Sequence, residues 1–414
     1  MAKLSELLRE RGYVYQFSAE KLEEITDGKP RTVYLGVDPT ADSIHVGNLA
    51  AYLLLRRFAD AGHKVILITG GGTGMIGDPK PDVERPLLDE ETIRARVGKL
   101  RAQAQKLLGG IELQVINNAD WLTNLNLIEF LRDTGKYFTV NNLVKKDAIE
   151  ARMTSEDGIS FTEFTYPLLQ AYDFWHLFRE YDCDVQIGGS DQWGNIIAGV
   201  ELIRRKENKV AYALTIPIIT DKATGKKFGK SEGNAIWLDP EKTSSFMFYQ
   251  FWLNASDESV EDYLKLFTLL SVNEIEAVME LQQRSPKERH AQRALARAVT
   301  TLVHGDPAAE EAELISQLLF GEGSVADLDA KAANALRLAA PSIAVAEDAS
   351  ILDVLVESKL ASSKREARKF VEDSAVTLNG EAVTEDKTIN ADDFVHNIAI
   401  LKRGKRNVCL LTRI

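Results

Sequence analysis

Cysteine is nearly missing from this 414-residue sequence. Cys183 and Cys409 are the whole supply, and the six histidines fall in no paired Cys/His spacing. Neither a disulfide framework nor a structural zinc site is expected, and any metal should arrive with a substrate. Long apolar runs are also lacking. No stretch approaches ~20 apolar residues, and residues 1–25 mix acids with bases where a signal peptide carries an uninterrupted apolar segment. The expectation is a cytoplasmic protein without a membrane span. Positive charge is in deficit, 50 Lys and Arg against 62 Asp and Glu for a net −12, which argues against generalised nucleic-acid binding. The deficit is uneven, because residues 351–414 hold 11 Lys/Arg against 10 Asp/Glu and so leave room for a local basic surface.

What is present is a globular composition, 45% hydrophobic and 27% charged, in a chain long enough for several domains. A short amphipathic helix at 4–10 precedes an apolar strand at 33–37, a helix at about 47–61 and a second strand, KVILIT, at 64–69. A charged helix follows at roughly 90–108. Further strands are read at 113–116, at 184–188 after a helix opening near Thr165, and at 212–219 after a helix from Gln192. Strands separated by helices predict an α/β fold, a Rossmann-like parallel sheet with ligands beyond the carboxyl ends of its strands. From 240 onward the pattern is helical to about 319. A Gly- and Ala-rich stretch reaching 342 reads as a connection before a short module with basic clusters. The expected division is 1–240 catalytic, 241–325 α-helical, 326–349 linker and 350–414 a small α+β module with its own core of Val354, Leu355, Val371, Leu378 and Ile400.

Three constellations carry chemistry. In residues 34–48, YLGVDPTADSIHVGN, a strand ends in a Gly/Asp/Pro turn and a helix opens at His-Val-Gly. A helix start offers unpaired N–H groups and partial positive charge, and Thr40 and His45 add donors for phosphate oxygens. The second constellation is KKFGKS, residues 226–231, with lysines on both sides of a glycine, suited to neutralising polyphosphate. It is not a P-loop, since Gly225 and Gly229 enclose three residues where that motif needs four. The third joins GGSDQWGNI to the helix FTEFTYPLLQAYDF, on which Tyr166, Gln170 and Asp173 share one face and can bind an ammonium and a hydroxyl. Read singly, each of these is also an ordinary turn, a solvated loop or a polar helix surface. Gly72, Gly74 and Gly77 compete as a dinucleotide fingerprint, G-x-G-x-x-G after a strand, but Asp78-Pro79-Lys80-Pro81 spoils the helix that pyrophosphate needs.

Taken together the motifs resemble those of class I aminoacyl-tRNA synthetases, and the likeness to the tyrosyl-tRNA synthetase family runs from about residue 34 to 414. His45-Val46-Gly47-Asn48 corresponds to the "HIGH" signature and Lys227-Phe228-Gly229-Lys230-Ser231 to the "KMSKS" loop. GGSDQWGNI and TEFTYPLLQAYDF look like the tyrosine-specific members, and KREARKFVEDSAVTLNGE resembles the RNA-binding module shared with ribosomal protein S4. The resemblance implies activation of L-tyrosine with ATP, Mg²⁺ brought by the ATP, transfer to tRNA(Tyr), and a homodimer.

Residue by residue, it implies that Tyr34 and Asp173 hold the phenol, Asp78, Tyr166 and Gln170 the ammonium, and Gln186 the carboxylate. Asp191 and Gln192 would lie on the ribose side of the adenylate, with Asp38, Gly47 and Asn48 also on the nucleotide. Thr40, His45, Lys227, Lys230 and Ser231 would stabilise the departing pyrophosphate. The basic clusters Lys364, Arg365, Arg368 and Lys402, Arg403, Lys405, Arg406 are spaced to meet RNA phosphates. Asn48 departs from the family pattern by replacing the second histidine of the signature, and Leu35 stands where many relatives have cysteine. The competing expectations are a class I synthetase for tryptophan, an RNA-binding protein acting through the last module alone, and an oxidoreductase using the three glycines.

Overall fold

The computed structural model describes residues 3–81, 83–155, 158–225, 228, 230–231, 234–320, 329–404 and 407–414. The chain divides into two compact units, Met1–Asp239 with Ala255–Ala291, and Pro240–Asn254 with Gln292–Ile414.

The first unit holds strands β1 (Gln16–Phe17), β2 (Thr32–Val37), β3 (Lys64–Thr69), β4 (Leu113–Asn117), β5 (Cys183–Gly189) and β6 (Tyr212–Ile216), in the order β1-β6-β5-β2-β3-β4. All neighbours are parallel except β1 against β6. The connecting helices are α1 (Val46–Asp60), α2 (Glu90–Leu107), α3 (Phe161–Tyr181) and α4 (Trp193–Glu207). Winding runs outward from β2 through β3 to β4, then returns to β5 on the other side of β2. That reversal opens a crevice between β2 and β5 at the carboxyl edge, the usual ligand site of such sheets.

The central strands are apolar throughout, as burial on both faces demands: Val33, Leu35, Val65, Ile66, Leu67 and Ile68 are all buried, each worth ~1.5–3 kcal/mol over exposure. Caps set the helix starts, with Asp89 accepting from Thr92 N–H for α2 and Ser160 from Glu163 N–H for α3. α3 and α4 stop at Asp182 and Asn208, both left-handed at φ 51°. β6 ends at Ile216, short of the expected 219, because Pro217 has no N–H for the ladder. The glycines 72, 74 and 77 form no helix start; Thr73–Met75 is a single 3₁₀ turn, which removes the dinucleotide reading. Between β4 and α3 run four short helices, Ala119–Leu122, Leu127–Asp133, Val140–Leu143 and Asp147–Met153, that the sequence pattern did not announce. Their apolar side chains give no periodic buried face, since Leu127, Ile128, Leu131, Val140 and Met153 are exposed.

Residues 255–291 belong to this unit rather than to a separate helical domain. Helix Val260–Phe267 packs on α1, and its carboxyl end is held from three directions. Arg11 donates to the carbonyls of Lys265 (2.9 Å), Thr268 and Leu270, Tyr13 to Leu266 (2.6 Å), and Arg57 of α1 to Thr268 (2.8 Å).

In the second unit, β7 (Ser342–Val345), β8 (Val376–Leu378), β9 (Glu381–Ala382), β10 (Ile398–Arg403) and β11 (Asn407–Arg413) form a sheet in the order β9-β8-β10-β11-β7. Both faces are covered. Helices Ile351–Glu357 and Lys364–Glu372 bury Val354, Leu355, Val371 and Leu378 on one side. On the other, Ile398, Ile400 and Leu410 pack with Phe246, Ile315, Leu318, Leu319 and Leu336. Ile400 is thus a core residue of the opposite face from the one expected. The stretch 326–349, expected as a linker, contains helix Ala330–Ala339, capped by Asp329, and strand β7. Ala332, Ala333 and Leu336 make a narrow apolar stripe, which alanine-rich composition disguised.

Candidate active site

The crevice beyond β2 and β5 opens into a cavity of about 610 Å³, the size of a small-molecule site. It is lined by Tyr34, Asp38, Thr40, His45, Gly47, Asn48, Asp78, Tyr166, Gln170, Asp173, Asp191 and Gln192, so twelve candidate residues far apart in sequence are brought together.

Three carboxylates dominate its electrostatics. Asp173, buried on α3, accepts from Trp121 Nε1 and from Asn118 Nδ2, each at 2.8 Å. Burial outweighs these donors, and with Asp38 nearby it lifts the Asp173 carboxyl to about 7. Asp38 accepts from Thr73 Oγ1 (2.7 Å) and from the Tyr166 hydroxyl (2.8 Å), and burial lifts it to about 6. Asp78 accepts from Gln192 Nε2 (2.9 Å) and Asn195 Nδ2 (3.0 Å) and is likewise raised by burial. Asn118 also donates to Thr73 (2.9 Å), which ties two of the carboxylates into one network. Three desolvated carboxylates in one cavity favour a cationic ligand.

Beside them are polar atoms with no hydrogen-bond partner among the described residues: Tyr34 Oη, Tyr52 Oη, Gln170 Oε1 and Gln186 Oε1, all buried. Gln186 is not part of the cavity wall. It sits on β5 in register with Tyr34 on β2, hence on the same side of the sheet. Unsatisfied buried groups cost ~1–3 kcal/mol each, so a ligand that supplies partners is strongly favoured.

The other side of the cavity is built from chain starts. His45 caps α1, its Nδ1 accepting from Gly47 N–H at 3.1 Å. A neutral imidazole so engaged carries its proton on Nε2 and presents a donor. A Cβ at Gly47 would lie 2.8 Å from that ring, and one at Gly70 would lie 1.9 Å from Asp38 Oδ1, so neither position admits a side chain without a shift. The signature segment pairs with residues 236–238, through Val46 N–H to Ile236 (2.9 Å) and Leu238 N–H to Ile44 (2.8 Å), and Trp237 meets the His45 ring edge-on at 5.9 Å. Thr40, Asn48 and Asp191 are exposed. Lys227 lies outside the described residues. Lys230 and Ser231 are placed as backbone, in a two-residue strand paired with Asn234–Ala235, and their side chains are outside the description.

Several residues escaped the sequence reading. Asn118, Trp121, Thr73 and Asn195 hold the carboxylates, and Lys80, Arg85, Tyr52 and Trp237 line the cavity. Asn118 alone had a usable signal, since it directly follows the carboxyl end of β4, where ligand-side residues of an open sheet gather. Among the RNA-binding candidates, Lys364, Arg365 and Arg368 are exposed on helix Lys364–Glu372, where Lys364 pairs with Asp353 and Arg368 with Glu385. Lys402 and Arg403 are half-buried on β10, Arg403 lying 4.7 Å over the Phe370 ring. Lys405 and Arg406 lie outside the described residues.

Comparison with known proteins matches two stretches of the chain. A profile described as tRNA synthetases class I (W and Y) matches residues 26–321, and one described as Tyrosine–tRNA ligase SYY-like C-terminal domain matches 334–411. The Tyrosine–tRNA ligase of Lactococcus lactis subsp. cremoris (strain SK11) is 45% identical over 98% of both chains, and that of Roseiflexus castenholzii is 44% identical over 99% of both. Among solved structures, a C-terminally truncated Aspergillus nidulans mitochondrial tyrosyl-tRNA synthetase superimposes with a TM-score of 0.71 at 33% identity, covering 77% of this chain and 95% of its own. With class I motifs at the sheet's carboxyl edge and relatives of this similarity along nearly its whole length, the chain belongs to the tyrosine–tRNA ligases, within the class I tRNA synthetases.

Proposed function

We propose that this cavity binds L-tyrosine and ATP, forms tyrosyl-adenylate and pyrophosphate, and then yields the tyrosyl group to the 3′ end of tRNA(Tyr). The observation that carries this reading is the pairing of unsatisfied oxygens, on Tyr34, Gln170 and Gln186, with the raised carboxylates Asp38, Asp78 and Asp173. A phenol and an ammonium on one ligand answer both needs. Asp173 and Tyr34 receive the phenol, and Asp78, Tyr166 and Gln170 surround the ammonium. Gln186, in register with Tyr34 behind the cavity wall and with Oε1 unpartnered, is assigned to the carboxylate. Tryptophan offers an indole N–H to Asp173 but no acceptor for the Tyr34 hydroxyl, so the runner-up substrate answers only half of that pair.

Activation needs no covalent enzyme intermediate. A tyrosine carboxylate oxygen attacks the α-phosphorus of ATP, the bond to the β-phosphate oxygen breaks, and pyrophosphate leaves carrying the electron pair. Catalysis is positioning plus stabilisation of charge. Mg²⁺ enters as part of the ATP. His45 Nε2–H, the amino end of α1 and Thr40 face the phosphates, joined by Lys227, Lys230 and Ser231. Asp38, Asn48, Asp191 and Gln192 lie toward the nucleoside. In the second step a ribose hydroxyl of tRNA attacks the adenylate carbonyl and AMP departs, while Lys364, Arg365, Arg368, Lys402, Arg403, Lys405 and Arg406 contact RNA phosphates as an S4-like module would.

We further propose a cytoplasmic homodimer. The support for self-association is the exposed apolar set of Leu127, Ile128, Val140, Met153 and Phe161, the last 76% exposed. Sedimentation equilibrium on the wild type and on Phe161→Asp checks this, with a monomeric wild type as the contrary result. ATP–pyrophosphate exchange with a panel of amino acids tests the activity: stimulation by L-tyrosine and hardly any by L-phenylalanine or L-tryptophan is expected. Equal stimulation by all three contradicts it.

A further inference from the structure

Phe228 lies in the middle of the lysine motif, yet only 8% of it is exposed. Its ring stands 4.7 Å from that of Tyr263 and 5.0 Å from that of Phe267, the latter stacked at 26°. Its N–H donates to the Ile219 carbonyl at 2.9 Å. Its own carbonyl oxygen approaches the signature, since a Cβ on Gly47 would lie 3.5 Å away. Tyr263 and Phe267 belong to helix Val260–Phe267, whose carboxyl end is fixed by Arg11, Tyr13 and Arg57. Arg57 is in the last turn of α1, the helix that opens at the signature. One short helix therefore contacts both Arg57 of α1 and the ring of Phe228.

An aromatic side chain in a lysine-rich, phosphate-facing segment has no charge to offer a substrate. It supplies shape, and aromatic pairs of this geometry are specific in orientation. We propose that Phe228 is a positioning residue, its ring seated between Tyr263 and Phe267 so that the backbone carrying Lys230 is held in register with the amino end of α1. Phe228 acts through Lys230, two residues on, and this rests on the proposed role of that lysine in stabilising the departing pyrophosphate.

The test is steady-state exchange on the full-length protein, reading kcat and the KM values of tyrosine and ATP for wild type, Phe228→Leu and Phe228→Ala, each with and without Lys230→Ala. Thermal unfolding checks that each variant is folded. Loss of register of the order of 1 Å should lower kcat by about tenfold or more in Phe228→Ala, with Phe228→Leu recovering most of it. The tyrosine KM should stay within about twofold, and in the Lys230→Ala background Phe228→Ala should cost less than about twofold, because the group it positions is already gone. If Phe228→Ala does not fold, Phe228→Leu and Phe267→Leu carry the same comparison. A folded Phe228→Ala with wild-type kcat overturns the proposal, as does an equal loss with and without Lys230, or a tyrosine KM that rises in step with the loss of kcat. Wild-type protein without tyrosine-dependent exchange overturns the functional reading and this inference together; normal wild-type exchange with indifferent Phe228 variants overturns this inference alone.

Discussion

Tyr34, Tyr166 and Asp173 are buried side chains from β2 and α3, Asp173 accepting from Asn118 and Trp121 and Tyr166 donating to Asp38, whereas Thr40, Asn48 and Asp191 in the same cavity stand exposed on turns and helix starts. Tyr166 and Asp173 are held by contacts across 52 to 128 residues of chain before any ligand arrives. The second relies on a helix terminus, a capping imidazole and two lysines three residues apart. Preorganised buried groups discriminate among ground-state ligands, because a wrong ligand leaves them unsatisfied. Exposed charges lose little when unpaired and act where charge develops in the transition state. One group should therefore govern affinity and the other rate.

The sharpest way to break that contrast is Asp173→Ala. It removes the acceptor of the phenol, leaves Trp121 Nε1 without an acceptor and leaves Asn118 Nδ2 with Thr73 alone, a loss of ~3–4 kcal/mol when hydrogen bonds to a charged group and a desolvated donor are both forfeited. The tyrosine KM in exchange should rise by ~100-fold or more. An unchanged KM would mean that the carboxylate only supports the fold. Lys230→Ala is the mirror experiment, expected to lower kcat by ~10²-fold at a nearly constant tyrosine KM, in the range of removing one transition-state donor. Collapse of tyrosine affinity with normal kcat would reverse the roles of the two groups.

The two groups also differed in how visible they were. Tyr166, Gln170 and Asp173 were legible because helical arithmetic puts them on one face, and the signature because a strand, a turn and a helix start follow each other locally. Thr73, Asn118 and Trp121 were not, since their meaning lies in contacts to residues 35 to 55 positions away. The alternation of β2, α1 and β3 was plain from period, and the KVILIT strand was found to the residue. Four of the six residues of β10 are buried, on two faces, so the period-2 signal that should have sorted Ile400 from Leu401 vanished. Residues 119–153 failed for the opposite reason, exposing the apolar side chains that usually mark a buried face.

Acidity sharpens the comparison without mutation. In the ligand-free fold burial lifts Asp173 to about 7 and Asp38 to about 6; ionised Asp173 is the form that accepts from the phenol, and ionised Asp38 the form that orients Tyr166 beside the ammonium. Tyrosine affinity is then full above pH 8 and falls as pH drops through 7 and 6, by about tenfold per unit for each protonated group once below its pKa. The sign for stability is opposite. A raised carboxyl binds protons more tightly in the folded state, so the contribution of these two groups to ligand-free stability is greatest in acid and declines as pH rises from about 4 toward 7. Calorimetric titration of tyrosine from pH 8.5 to 5.5 checks the first part. A flat profile would show that neither group is ionised to bind ligand.

The smallest effect belongs to the second unit, where single charges meet solvent. Arg365 is exposed on helix Lys364–Glu372 and Arg403 lies half-buried on β10, while Lys364 and Arg368 already have carboxylate partners. Exposed ion pairs of that kind are worth ~0–1 kcal/mol, so an RNA phosphate can displace either carboxylate at little cost. Arg365→Ala and Arg403→Ala should each slow tRNA charging only a few-fold near physiological salt, lower the slope of log affinity against log salt by about 1, and leave exchange untouched. Cutting the chain near Val345 is a poorer experiment than it looks from sequence. It strips β8, β10 and β11 from the sheet and uncovers the face on which Ile315, Leu318, Leu319 and Leu336 pack, so a stability defect would mask the RNA effect. Point substitutions avoid this, because neither arginine is in either core. Charging rates and salt slopes that match the wild type in the Arg365→Ala, Arg403→Ala double variant would leave the basic face as ordinary solvated surface. A loss of exchange in the same variant would tie this unit to activation and dissolve the division of labour between the two.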